Sequence, residues 1–248
     1  MGRTLSKRLE TIIGMVSCGN SVCDVGCDHG YVSIELVKRS ISPFALAMDI
    51  NEGPLERAKA HVREEKLENK IKLVLSNGLD GYNKGDAKTL IIAGMGGHLM
   101  SDILGRNIDK CDFEEMILSP QSEIMEFRLF LQSIGCKILD ENMVFEDGKY
   151  YTIIKTGGCS KFKGVGGYSS IEAFTDNSMD SHMEAFLGPV LLKKKDPVFK
   201  SYVKYLVEKN EKILRNITKQ TQTEDTMKRA SELSKEVDML KKVLENCN

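Results

Sequence analysis

No uninterrupted apolar run of about 18 residues occurs in this sequence, so a transmembrane helix is not expected. The opening stretch MGRTLSKRLE has no apolar core and no small-residue cleavage site. A secretory leader is therefore not expected, and the cytoplasm is the default compartment. Seven cysteines, an odd number, are scattered from Cys18 to Cys247 without one C-x-x-C pair. That disfavours both a disulfide framework and a structural zinc site. Cys18, Cys23 and Cys27 are spaced wrongly for metal ligands, Cys23 reads as a small core residue, and no metal is expected. The dinucleotide signature G-x-G-x-x-G is also missing, which argues against a nicotinamide oxidoreductase.

Net charge is nearly absent too. Lys and Arg total 35 and Asp and Glu 36, for a net −1. The balance hides an asymmetry, because residues 1–157 carry 19 basic and 23 acidic side chains. Residues 158–248 carry 16 basic and 13 acidic, and Lys193–Lys219 alone hold nine basic against three acidic. Such a local surplus suits a polyanion, although a solvated helix face gives the same count.

Two periodicities organise the chain. Leu5, Leu9, Ile12, Ile13 and Val16 recur at helical spacing, with Ser6 or Thr4 as a cap. Short apolar runs at Val22–Val25, Phe44–Met48, Ile71–Leu75, Thr89–Ala93 and Glu114–Leu118 read as buried parallel strands. Helical stretches lie between them, at Tyr31–Ser40, Pro54–Leu67, Gly97–Leu104 and Ser122–Ile134. The alternation predicts an α/β fold, a doubly wound parallel sheet with helices on both faces. Cys136–Val144 and Tyr150–Lys155, joined around Asp147-Gly148, predict an antiparallel pair at its end. Lys161–Gly167 reads as a linker, which divides the chain into 1–157 and 158–248. Beyond it, Phe199, Val203, Leu206, Asn210, Ile213 and Ile217 form one heptad seam. Ala230, Leu233, Val237, Leu240, Leu244 and Cys247 form another. The short Thr218–Asp225 connection predicts an antiparallel helical hairpin, with Asn210 setting its register.

Chemistry concentrates at strand ends. In open parallel sheets, ligands bind beyond the carboxyl ends of the strands. The first strand ends in Asp24-Val25-Gly26-Cys27-Asp28-His29-Gly30, where carboxylates would repel a pyrophosphate but welcome a cationic amine. S-adenosylmethionine carries such an amine. The second strand ends in Asp49, an acceptor for ribose hydroxyls, followed by Ile50. The third is followed by Ser76-Asn77-Gly78, placed to flank an adenine. The fourth ends in Ala93-Gly94-Met95-Gly96-Gly97, a turn that lets a flat substrate approach the backbone.

These segments are similar to those of the bacterial tRNA (adenine(22)-N1)-methyltransferase family. The resemblance runs through Leu5–Ile12 (LSKRLETI), DVGCDHGY, Asn51–Pro54 (NEGP), Asn77–Asp80 (NGLD), Ile92–Gly97 (IAGMGG), Glu146–Ile154 (EDGKYYTII) and Phe186–Phe199 (FLGPVLLKKKDPVF). It implies a Rossmann-like class I methyltransferase domain with an antiparallel last strand, then an α-helical antiparallel coiled coil. It implies S-adenosylmethionine as cofactor, tRNA as partner and adenine N1 as the methyl acceptor. By resemblance, Asp24, Gly26 and Gly30 belong to the methionine end of the cofactor; Cys27 and His29 are further candidates for the cofactor pocket. Asp49 belongs to its ribose, Asn77 and Gly78 to its adenine, and Ala93, Gly94 and Met95 to the methyl-transfer site, with Ile50 a further cofactor-binding candidate. The sequence departs from the family at Asn77, where Asp is usual, at Ser119 within Leu118-Ser119-Pro120, where Gln is common, and in Gly30-Tyr31-Val32-Ser33, which lacks a common proline.

Adenine N1 has a free lone pair and needs no general base, so positioning carries most of the task. The methylated base is cationic, which makes Asp28 the catalytic candidate; as the alternative, it only caps the following helix. Arg8 is a candidate for a tRNA phosphate and Tyr31 for stacking on the target base. A surface arginine and a core tyrosine are their ordinary readings, and His29 equally fits a turn residue. His61, His98 and His182 read as structural or surface. Lys193, Lys194 and Lys195 are candidates for RNA phosphates. A monomer is expected, with a dimer through the hairpin as the alternative. Methylation of another substrate and a silent RNA-binding module remain as rival functions.

Overall fold

A computed structural model describes residues 4–158, 179–218 and 223–247. The expected linker Lys161–Gly167 lies outside the described residues, as do residues 219–222 of the hairpin connection. The chain divides into two compact units, Met1–Val190 and Leu191–Asn248.

In the first unit, Ser6 caps α1 (Lys7–Met15), its hydroxyl accepting from Leu9 N at 3.3 Å. Five parallel strands follow the apolar runs: β1 (Val22–Val25), β2 (Ala45–Asp49), β3 (Ile71–Leu75), β4 (Thr89–Ala93) and β5 (Glu115–Ser119). They alternate with α2 (Tyr31–Lys38), α3 (Glu52–Glu64), α4 (Gly97–Arg106) and α5 (Ile124–Ser133). β6 (Ile138–Glu146) and β7 (Lys149–Gly157) close the sheet, whose order is β3-β2-β1-β4-β5-β7-β6. β7 runs antiparallel to both its neighbours. The β6–β7 turn has positive φ at Asp147 (49°) and Gly148 (74°), the two-residue geometry that Asp-Gly favours.

Both faces of the sheet are covered. Leu90 and Ile92 of β4 join a core with Met100, Ile103 and Leu104 of α4 and Phe127 and Leu131 of α5. Ile91, between them, joins the other core with Ile12 and Ile13 of α1 and Val32 and Leu36 of α2. This alternation is the period of a strand buried on both sides.

The division between the units falls later than the Gly157/Gly158 boundary that composition indicated. The cause is α6 (Met179–Leu187), which packs against α5. Arg128 on α5 is buried and donates to the carbonyls of Ala185 (3.0 Å), Phe186 (2.9 Å) and Leu187 (3.4 Å). Its Nε pairs with Glu141 of β6 at 2.8 Å, and Glu141 in turn accepts from Val190 N at 2.9 Å. One ion pair thus satisfies the last carbonyls of one helix and an N–H at the start of the next, α7 (Pro189–Lys194). The expectation of no disulfides meets an exception here, since Cys136, just before β6, is disulfide-bonded. Cys18, Cys23, Cys27, Cys111 and Cys247 are free.

The second unit is a hairpin of α8 (Pro197–Ile217) and α9 (Glu224–Glu245). Phe199, Val203, Leu206, Asn210 and Ile217 are buried on α8, and Val237 and Leu240 on α9, in line with the two seams. Asn210 is satisfied across the seam, its Nδ2 donating to Glu236 Oε1 at 2.8 Å.

Candidate functional site

The carboxyl ends of β1, β2, β3 and β4 lie side by side in the sheet, and the turns after them carry the candidate residues. Asp24 is the next-to-last residue of β1 and is 5% exposed. Ser33 Oγ, from the inward face of α2, donates to its Oδ2 at 2.8 Å. Burial raises the Asp24 carboxyl to about 6, with Ser33 opposing and Asp49 adding to the rise. Asp49 is buried at the end of β2 and is held by two backbone donors. Asn51 N binds its Oδ1 at 2.9 Å and Asp28 N its Oδ2 at 3.2 Å. The two acids therefore face the same β1 loop, one beneath it and one bonded to its backbone.

Gly26 has φ +75°, and a Cβ placed on it would collide with Met95 Cε. The positive φ is what favours glycine there, because the Met95 methyl is the free end of a flexible side chain and can shift. The contact also ties the turn after β1 to the turn after β4. Cys27 is buried, and desolvation followed by the nearby Asp24, Asp49 and Asp28 charges raises its thiol strongly, so it is a neutral thiol. Ile50 is 59% exposed, an apolar side chain presented just beyond Asp49. Asn77 is exposed and Gly78 buried. Their turn is fixed by Ser76, whose Oγ donates to Gly78 O at 2.9 Å and accepts from Gly81 N at 2.9 Å. Ala93 and Met95 are half-buried and Gly94 is exposed with φ +87°.

Asp28 is exposed and sits at φ +49°. It does not cap α2: the cap residue is Gly30, without a side-chain bond. Its carboxylate lies instead between Arg57 Nη2 (3.5 Å to Oδ1) and His29 Nε2 (3.6 Å to Oδ2). His29, Tyr31 and His61 form a ring cluster, with centroids 5.2 Å apart for His29–Tyr31 and 5.1 Å for Tyr31–His61. His61 Nδ1 lies 3.0 Å from His29 O. Tyr31 is thus engaged within the chain, and His61 is part of the support of the Asp28 turn rather than a surface residue. Arg8 lies over Tyr151 at 5.1 Å, and its Nη1 is buried against Gly94 with no hydrogen-bond partner among the described residues.

All three lysines of the triplet are exposed; Lys193 and Lys194 end α7, and Lys195 Nζ donates to Asn246 O, the cap of α9, at 2.6 Å. Lys195 therefore has a structural bond within its own unit. Sequence reasoning missed Ser33 and Arg57. Ser33 had a signal, a polar residue in the apolar run of α2. Arg57 had none, because the path of the loop after β1 decides that it meets Asp28. Among the described residues no three or more His, Cys, Asp or Glu side chains group as a metal site. No described helix is long and apolar enough to cross a membrane.

A parallel sheet with paired acids at the ends of adjacent strands and glycine turns beside them defines a methyltransferase of the Rossmann-like class. Residues 5–154 match the family model described as a methyltransferase domain. The chain is 29% identical over 243 residues to the tRNA (adenine(22)-N(1))-methyltransferase of Bacillus subtilis, covering 98% of each. It superposes on the crystal structure of the B. subtilis m1A22 tRNA methyltransferase TrmK with a TM-score of 0.80 at 30% identity, over 97% of this chain and 99% of that one. A Streptococcus pneumoniae protein solved in complex with S-adenosyl-L-methionine matches with a TM-score of 0.79 at 31% identity, over 97% and 100%. The chain belongs to the tRNA (adenine(22)-N1)-methyltransferase family.

Proposed function

We propose that this protein transfers a methyl group from S-adenosylmethionine to N1 of adenine 22 in tRNA, in the cytoplasm. The observation that carries the reading is the pair of buried acids, Asp24 and Asp49, on adjacent strand ends beside the Gly26 and Gly94 turns. Their chemistry fits the cofactor. A buried carboxylate next to a ligand ammonium recovers the charge partner it otherwise lacks, which suits Asp24. Asp49, oriented by two backbone N–H groups, has lone pairs left for two ribose hydroxyls. Ile50 offers an apolar face to the adenosine, with Asn77 and Gly78 at its adenine edge. S-adenosylmethionine supplies an electrophilic methyl group.

The chain's own residues do the positioning. Bare backbone at Gly94 lets a flat base come close to the β4 turn, and Ala93 and Met95 border that approach. Holding reactants in line supplies roughly 7–11 kcal/mol of such a barrier. Asp28 stabilises the positive charge that the base acquires. A docked base buries its exposed carboxylate and strengthens that interaction. His29, Tyr31 and His61 hold the turn that carries it. Arg8 contributes a fixed cation for the incoming nucleotide's phosphate. Lys193 and Lys194, with the basic face of α8, bind the tRNA backbone. The seams of α8 and α9 cover each other within one chain, which favours a monomer.

Nucleoside analysis of unmodified tRNA after incubation with the protein and methyl-labelled cofactor tests the reading. Labelled 1-methyladenosine is expected, and it should vanish when adenine 22 is replaced by guanine. Label in another nucleoside, or none, refutes it.

A further inference from the structure

We infer that Gln121 reads the target base, its carboxamide pairing with the N6–N7 edge of the adenine; this rests on the adenine-N1 reading above. The turns after β4 and β5 are locked together by two backbone bonds. Gly94 N donates to Ser119 O at 3.2 Å, and Gln121 N donates to Met95 O at 2.9 Å. This brings Gln121 to the open side of Gly94. A Cβ placed on Gly94 would stand 3.7 Å from Gln121 Nε2 and 3.7 Å from Arg8 Nη1. Gln121 is exposed, and its carboxamide makes no hydrogen bond to the described residues. One more polar atom at the same place, Arg8 Nη1, is buried without a partner among the described residues.

A buried guanidinium nitrogen without a partner is costly, and it and the exposed carboxamide beside one bare glycine point to a ligand that completes them. That ligand is flat, because the exposed backbone of Gly94 forms the floor. It also carries a donor and an acceptor side by side, because a carboxamide offers the complementary pair. Adenine meets both conditions. With N1 aimed at the methyl donor, its N6 amino group and N7 remain free on the adjoining edge. The amide oxygen accepts from N6–H while the amide N–H donates to N7, the arrangement by which glutamine recognises adenine. Guanine presents O6 where adenine has its amino group, which sets acceptor against acceptor. Pyrimidines have no N7.

The test uses the full chain with tRNA carrying either adenine or 7-deazaadenine at the target position. The wild-type protein should lose roughly ten- to hundred-fold in kcat/KM on the 7-deaza substrate, which lacks the N7 acceptor. Gln121→Ala should lose about as much on the adenine substrate, with unchanged cofactor binding by calorimetry. It should lose no more than about twofold further on 7-deazaadenine, because the bond is already gone. Gln121→Glu, which keeps the shape but cannot donate to N7, should be equally indifferent to the deaza change. Losses that multiply, or a Gln121→Ala protein with wild-type kcat/KM, overturn the assignment while leaving the reaction in place. A wild-type protein that forms no 1-methyladenosine overturns the reading of the reaction itself.

Discussion

Asp24 offers the sharpest prediction, because the same charge acts in opposite directions on folding and on binding. Its carboxyl is raised from the ordinary 3.8 to about 6, chiefly by burial. Between those values the folded protein holds a proton that the unfolded chain has already released. Stability therefore falls as pH rises through that window, and the full cost is present above about pH 6. At 1.36 kcal/mol per pKa unit, the cost is ~3 kcal/mol. Asp24→Asn removes the charge while keeping an acceptor for Ser33 Oγ. In the absence of cofactor at pH 7.5, the variant should melt higher by up to roughly 5–10 °C, and the gain should disappear below pH 4. Cofactor affinity should move the other way. Loss of a charge-assisted bond to the methionine amine costs about 1.5–3 kcal/mol, or roughly ten- to hundred-fold in Kd. In the wild-type protein the affinity should weaken as pH drops below 6, and in the variant it should not. Calorimetric melting and titration across pH 4–8 read both quantities. An Asn variant that melts lower at pH 7.5, or binds the cofactor with wild-type affinity, would refute the reasoning.

Asp49→Ala should weaken S-adenosylmethionine by about 1.5–3 kcal/mol in calorimetry and also loosen the Asp28 turn, whose N–H it accepts. Asp28→Asn should lower turnover on tRNA by ~10²-fold with cofactor binding nearly intact, and near-normal turnover would leave Asp28 as a turn residue. A chain ending at Val190 should bind the cofactor and lose most tRNA affinity, with a shallower salt dependence in filter binding. A chain ending at Gly157 should in addition melt lower, because Arg128 and Glu141 lose their partners on α6 and at Val190. Glu replacing both Lys193 and Lys194 should reduce tRNA binding, whereas Lys195→Ala should chiefly destabilise the α8–α9 hairpin, measured by circular dichroism.

The strands were legible because a parallel sheet covered on both faces favours short, mostly apolar runs, and five such runs coincide with β1–β5 to within a residue at each end. The cofactor edge was legible for a related reason. Asp24, Asp49 and the glycines of the Gly94 turn occupy strand ends, so finding the strands also placed them. What resisted was everything set by contacts between distant segments. Arg128 sits in an amphipathic helix and Glu141 in a strand, and in sequence each resembles an ordinary surface charge. Only the docking of α6 makes them a buried pair. Lys195 belongs by sequence to a basic triplet, yet its positive φ turns it toward the end of α9. Gln121 follows a strand as many loop residues do, and its place beside Gly94 depends on the backbone bonds that join the turns after β4 and β5.

The Arg128–Glu141 pair also constrains how this sequence can change. Replacing either residue alone strands a buried charge, at about 3–5 kcal/mol, a large part of the stability of a typical domain. Replacing both with apolar residues can be close to neutral for the pair itself. Yet the carbonyls of Ala185, Phe186 and Leu187 would then need a donor from elsewhere. The two fit states are separated by a valley that single substitutions must cross. A relative lacking Arg128 should lack Glu141 as well and should bring another cation, or a different end to α6, to the same three carbonyls.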